Sequence, residues 1–168
     1  MTKKVGLGAC SAVYISPNEA LTAAHCVADT TGNMWVRNSH NKAFRAHIIK
    51  KDKKNDLCLL LIEGPSHPYV KLGPPARIGD KIYVMGNDDR MPFTYGEGHV
   101  KNVLIDNDTN ILTLVYAVTS LPGSSGSGVF DDKGRLVGIH TMGYKSVAYA
   151  TDVTIVEGFL GLRGSKRH

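Results

Sequence analysis

Three short segments carry side chains able to do chemistry together. Leu121-Pro122-Gly123-Ser124-Ser125-Gly126-Ser127-Gly128 sets a serine in a glycine-rich turn, and Leu21-Thr22-Ala23-Ala24-His25-Cys26 supplies an imidazole. Asn55-Asp56-Leu57-Cys58-Leu59-Leu60 supplies a carboxylate at the head of an apolar run. A hydroxyl is a weak nucleophile until an imidazole takes its proton, and the imidazole needs a carboxylate to hold its tautomer. The chain offers His25, Asp56 and Ser125 in that order. Asp52 is a weaker carboxylate candidate, because it sits among Lys50, Lys51, Lys53 and Lys54 and no apolar strand follows it directly. His40, His47, His67, His99 and His168 fall in no comparable pattern.

Residues so far apart need a rigid scaffold to meet, and the rest of the chain reads as strands. Helical periodicity is nearly absent. Short runs rich in β-branched and aromatic residues alternate with Gly, Pro, Asn and Asp clusters, which marks strands and turns. The runs lie at 8–16, 20–23, 34–37, 43–50, 57–63, 81–86, 97–105, 111–115, 127–131, 135–141 and 147–151. Turn chemistry at 106–110 and 131–134 marks two hairpins. A Pro/Gly-rich stretch from Gly64 to Pro75 divides the chain near its middle, with His25 and Asp56 before it and Ser125 after it. The segment 152–162 reads as a short helix, weakened by Gly158 and Gly161.

Composition narrows the class. A chain of 168 residues with 42% hydrophobic and 21% charged residues suits a soluble globular protein, and 18 glycines suit many turns. No apolar run approaches the ~18 residues of a membrane-spanning helix, and the basic start Met1-Thr2-Lys3-Lys4 has no apolar stretch after it to act as a secretion signal. The net charge of +5 comes largely from 50–54 and the tail 163–168, which read as solvated surface. The lysine cluster lacks aromatic stacking partners, so no nucleic-acid partner is expected. The three cysteines have no zinc-type spacing, so neither metal nor organic cofactor is expected.

The three motifs together resemble those of the chymotrypsin-like (trypsin-fold) serine proteases over essentially the whole chain. Thr22-Ala23-Ala24-His25-Cys26, Asp56-Leu57-Cys58-Leu59-Leu60 and Gly123-Ser124-Ser125-Gly126-Ser127 match the family's histidine, aspartate and nucleophile motifs. The resemblance implies an all-β fold of two six-stranded antiparallel β-barrels packed face to face, with the active site in the cleft and a short C-terminal helix. The N-terminal barrel would span 1–72 and the C-terminal barrel with its tail 73–168. Ser125 would attack the scissile carbonyl, His25 would shuttle the proton, and Asp56 would orient the imidazole. Backbone N–H groups of Gly123 and Ser125 would form the oxyanion hole. Cys10 and Cys26 have the spacing of the family's disulfide beside the histidine, and are either bridged or adjacent thiols according to compartment.

Two departures refine the resemblance. Ser124 replaces the usual aspartate before the nucleophile, so activation by a new N-terminus pairing with that aspartate is not available. Branches competent without it include bacterial stress proteases, glutamyl endopeptidases and viral polyprotein proteases of the astrovirus and arterivirus type. In addition, Gly138-Ile139-His140-Thr141-Met142-Gly143 resembles the motif in which a histidine backs the S1 pocket and donates to a Glu or Gln side chain. Ser120, with Thr119 beside it, would add a hydroxyl, and Thr141, Met142 and Gly143 would pair with an extended substrate.

These features lead to a monomeric serine endopeptidase acting on a polypeptide, preferring Glu over Gln at P1, and processing a viral polyprotein that includes itself. It would then work in host cytoplasm. The alternative is a bacterial protease, either a secreted glutamyl endopeptidase or a stress-type enzyme. Against the stress type, little chain follows Gly161 to form that branch's peptide-binding module. Least favoured are a catalytically silent scaffold and an RNA-binding protein.

Overall fold

The computed structural model describes residues 10–27, 34–38, 40, 42–86, 94–106, 111–118, 125–144 and 147–161. Its strands follow the alternation of apolar runs and turn clusters. The first half contains β1 (Val13–Ser16), β2 (Glu19–Thr22), a 3-10 turn (Ala24–Val27), β3 (Met34–Arg37), β4 (Ala43–Asp52) and β5 (Leu57–Ile62). The second half contains β6 (Lys81–Gly86), β7 (Thr94–Asp106), β8 (Ile111–Val118), β9 (Gly128–Phe130), β10 (Leu136–Tyr144), β11 (Val147–Asp152) and the helix α1 (Val153–Phe159).

The second half closes on itself as a six-stranded antiparallel barrel, ordered β10-β11-β8-β7-β6-β9. The first half departs from expectation. It is a five-stranded sheet, ordered β1-β2-β5-β4-β3, rather than a closed six-stranded barrel. Only five strand-forming runs precede the Pro/Gly stretch, and closure would need a further strand to join the β1 edge to the β3 edge. Two expected barrels are therefore one barrel and one open sheet among the described residues. The five sheet strands precede residue 72 and the six barrel strands follow it.

Burial explains why the pieces stay together. Ala20, Cys26, Met34, Val36, Cys58, Leu60 and Ile62 fill the sheet's core, while Ile82, Val84, Leu114, Tyr116, Val129 and Ala150 fill the barrel. A third cluster joins the halves: Leu21, Leu57 and Leu59 from the sheet meet Phe130, Leu136 and Ile139 from the barrel, with Val156 and Phe159 of α1. Fully burying such side chains is worth about 1.5–3 kcal/mol each. This accounts for the nearly unbroken apolar run of β5, buried at every position but Leu61. One face serves the sheet's own core and the other serves the seam. By contrast β4, which carries Arg45, His47, Lys50 and Lys51, is mostly exposed.

The Pro/Gly crossing is stitched to both sides. The N–H groups of His67 and Val70 donate to the carbonyls of Pro17 and Tyr14, and that of Gly73 donates to the Leu136 carbonyl. The Asp152 carboxylate accepts from the Thr154 N–H and so caps α1. At the far end, the Lys50 ammonium donates to the Phe159 carbonyl at 2.5 Å.

Candidate active site

His25, Asp56 and Ser125 meet at the seam. His25 rides on the 3-10 turn just after β2, and its backbone N–H donates to Asp56 Oδ1 at 2.8 Å. Its Nδ1 lies 2.6 Å from Asp56 Oδ2, and its Nε2 lies 2.7 Å from Ser125 Oγ. With the Nδ1 proton directed to the carboxylate, Nε2 presents its lone pair to the serine hydroxyl. Ser125 Oγ also lies 3.0 Å from the Thr141 carbonyl, a second acceptor for its proton. The hydrogen bond that His25 donates to Asp56 raises the His25 pKa above its ordinary value, burial partly offsets this, and the carboxylate charge adds to it.

Asp56 reaches this position through an unusual backbone. It is the one described non-glycine residue with positive φ, at 56°, a conformation that costs a non-glycine residue on the order of 1 kcal/mol. Its neighbour Asn55 is held on two sides. The Asp52 carboxylate accepts from the Asn55 backbone N–H at 3.2 Å and from its side-chain amide at 2.8 Å. From the barrel, Thr151 Oγ1 donates to the Asn55 carbonyl at 2.9 Å. Asp52 therefore braces the turn that carries Asp56 and does not contact His25.

The serine turn is equally constrained. The Ser125 carbonyl accepts from the Ser11 N–H, the Gly126 N–H donates to the His140 carbonyl, and the His140 N–H donates to the Ser127 carbonyl, each at 2.8 Å. Gly126 has φ +89°, and a Cβ there would lie 2.0 Å from the Ser11 carbonyl oxygen. Only glycine fits. Cys10 and Cys26 are joined by a disulfide with Cα atoms 6.1 Å apart, which resolves the pairing left open by the sequence. The remaining thiol, Cys58, is buried, and burial pushes it up to about 11, leaving it protonated.

The pocket residues are only partly described. Gly123, Ser120 and Thr119 lie outside the described residues. His140 does not point into solvent: it is 3% exposed, and its Nδ1 is hydrogen-bonded to the hydroxyl of Tyr116, itself fully buried. Burial, with the nearby His25 adding to it, lowers the His140 pKa to about 4. Burial raises the Tyr116 pKa. The pairing of β9 with β10 ends at Ile139, so the β10 edge at Thr141, Met142 and Gly143 has no strand on that side among the described residues. Met142 is 58% exposed there. Sequence reasoning missed Tyr116 and Thr151. The available signal for Tyr116 was an inward-facing tyrosine in a barrel strand, whose hydroxyl needs a buried partner.

No group of three or more His, Cys, Asp or Glu among the described residues is placed to hold a metal ion. No described helix is long and apolar enough to cross a membrane.

Known proteins share both sequence and shape with this chain. The chain is 28% identical, over an alignment of 157 positions that covers 85% of this chain, to a probable periplasmic serine endoprotease DegP-like of Pseudomonas putida (strain GB-1). It is 26% identical, over an alignment of 168 positions that covers 89% of this chain, to protease Do-like 2, chloroplastic, of Arabidopsis thaliana. These alignments cover 32% and 27% of those relatives, so the chain spans about a third of their length. The solved structure of the HtrA-type protease AlgW with a decapeptide superposes with a TM-score of 0.79 at 22% identity, covering 90% of this chain and 51% of that one. These relatives are DegP- and HtrA-type, rather than the glutamyl or viral proteases the pocket motif suggested. A family model described as trypsin-like peptidase domain matches residues 10–139, and the chain belongs to that family of serine-protease hydrolases.

Proposed function

We propose that this chain is a serine endopeptidase domain of the HtrA-related kind, in which Ser125 attacks the peptide carbonyl. In this mechanism His25 takes the Ser125 proton and returns it to the leaving amine, while Asp56 holds the imidazole and offsets its transient charge. The oxyanion would be received by the N–H groups of Gly123 and Ser125. The extended substrate would add to the β10 edge at Thr141–Gly143. The observation that carries this reading is the hydrogen-bonded line Asp56–His25–Ser125, with contacts of 2.6 and 2.7 Å. Relatives named as periplasmic and chloroplastic proteases support a stress-type enzyme over polyprotein processing.

His140, together with Ser120 and Thr119, is proposed to read a Glu or Gln side chain at P1. Its attachment to Gly126 and Ser127 supports a place beside the reacting bond. The test is labelling with a fluorophosphonate alongside peptide hydrolysis. Ser125 should carry the label, and Ser125→Ala should lose label and hydrolysis while keeping the native circular dichroism spectrum. Hydrolysis by Ser125→Ala at the wild-type rate would overturn the assignment.

A further inference from the structure

Part of the seam between sheet and barrel is left as an open groove of about 480 Å³. Its apolar floor is Ile15, Leu59, Val70, Leu72 and Leu160, all members of the cluster that joins the two halves. Sheet and α1 therefore share more apolar surface than they cover for each other. Three charged side chains also line the groove: Glu19 from β2, Glu157 from α1 and Lys71 from the crossing. Glu157 is 4% exposed, and Glu19 Oε1 accepts from Ser16 Oγ at 2.9 Å, so both carboxylates are held at the wall. Lys71 is exposed to solvent. The charge held in place is therefore negative.

The chain leaves α1 at this groove. Gly161 has φ 75°, and its N–H donates to the Gly158 carbonyl at 3.2 Å. These are the left-handed residue and one of the two hydrogen bonds of the motif that turns a chain back across a helix end. In that motif the following residue, here Leu162, donates to the Glu157 carbonyl and packs on the turn below, which holds the seam residue Val156. Residues 162–168 lie outside the described residues. They offer Leu162, Arg163, Lys166 and Arg167 and no acidic side chain. Extended, such a segment reaches about 23 Å, several times the strand spacing of about 4.8 Å.

We propose that the groove is the seat of the chain's own residues 162–168. Leu162 completes the apolar floor, Arg163 meets the carboxylates of Glu19 and Glu157, and the segment straps α1 to the sheet. A guanidinium suits this place because its fork of donors bonds carboxylates in a fixed geometry. Apolar burial supplies the affinity, and the cation fixes the register. A tethered segment binds at high effective concentration, so mainly its own ordering has to be offset. The basic tail, expected from sequence to be solvated surface, thereby gains a structural task that is independent of the hydrolytic steps.

The full chain carrying a nitroxide on Ser165→Cys tests the seat by nuclear magnetic resonance. Cys58 is buried and Cys10 and Cys26 are bridged, so the label enters at one site. Amide signals of Ile15, Ser16, Leu59 and Leu72 should lose intensity and recover it when the nitroxide is reduced. Undiminished signals there would overturn the proposal. So would the same loss in isotopically enriched chains that carry no nitroxide but are mixed with labelled ones, because the occupant would then be a second copy. Stability gives a second reading. Arg163→Glu should lower the melting temperature by about 2–4 °C, and salt at about 1 M should shrink that deficit. In a Glu19→Gln background the same substitution should cost less. A deficit that is equal in both backgrounds and indifferent to salt would sink the pairing of Arg163 with the groove.

Discussion

Asp56 shows how much support one side chain needs. Its left-handed backbone is imposed by the turn between β4 and β5, where Asp52 fastens Asn55 from the same half and Thr151 fastens it from the barrel. Thr151→Val removes the second fastening at nearly constant volume. We expect kcat to fall about three- to tenfold, the worth of one hydrogen bond, with KM unchanged. The raised pKa of His25 depends first on its bond to Asp56. A loosened Asp56 should therefore lower that pKa and move the acid limb of the kcat profile to lower pH, measurable by steady-state kinetics. His25, Asp56 and Ser125 were legible in the sequence because each sits in a local motif. Thr151 was not: it is an ordinary β-former whose partner lies 96 residues away. Tyr116 was hidden for the same reason, 24 residues from His140.

At the level of strands and turns, local chemistry carried most of the information. The eleven apolar runs correspond to eleven strands, and the short helix falls inside 152–162. Asp131 shows why the turns were readable: its carboxylate accepts from the N–H groups of Lys133 and Arg135, closing the hairpin between β9 and β10. Sheet closure was less legible. It depends on whether two edge strands find a common partner, a property of the assembled sheet that no single run encodes. The double burial of β5 yields a stability contrast. Leu57→Ala should cost about 2–5 kcal/mol in denaturant unfolding. Leu61→Ala, at a position 43% exposed, should stay within about 0.5 kcal/mol. Similar midpoints for the two variants would contradict the described burial.

For the molecule as a whole, the buried imidazole of His140 and the exposed one of His25 set opposite pH dependences. The unfolded chain protonates His140 near its ordinary value of about 6.5, while the folded protein resists until about 4. Stability should therefore decline as pH falls from about 6.5 toward 4. The His25 pKa is raised, so its contribution is present below about 6.5 and is lost as pH climbs through its native value. Melting temperatures across pH 4–8 should show an acid decline that His140→Gln flattens. An acid limb unchanged in that variant would assign the decline to other groups.

The hydrogen-bonded line from Asp56 to Ser125 crosses the same seam that Leu21, Leu57, Phe130 and Leu136 glue shut. On the proposed mechanism, turnover is a gauge of how firmly sheet and barrel are docked. A small slip between them would switch the enzyme off while each half still kept its strands, so inactivation should run ahead of melting wherever that apolar joint is weakened.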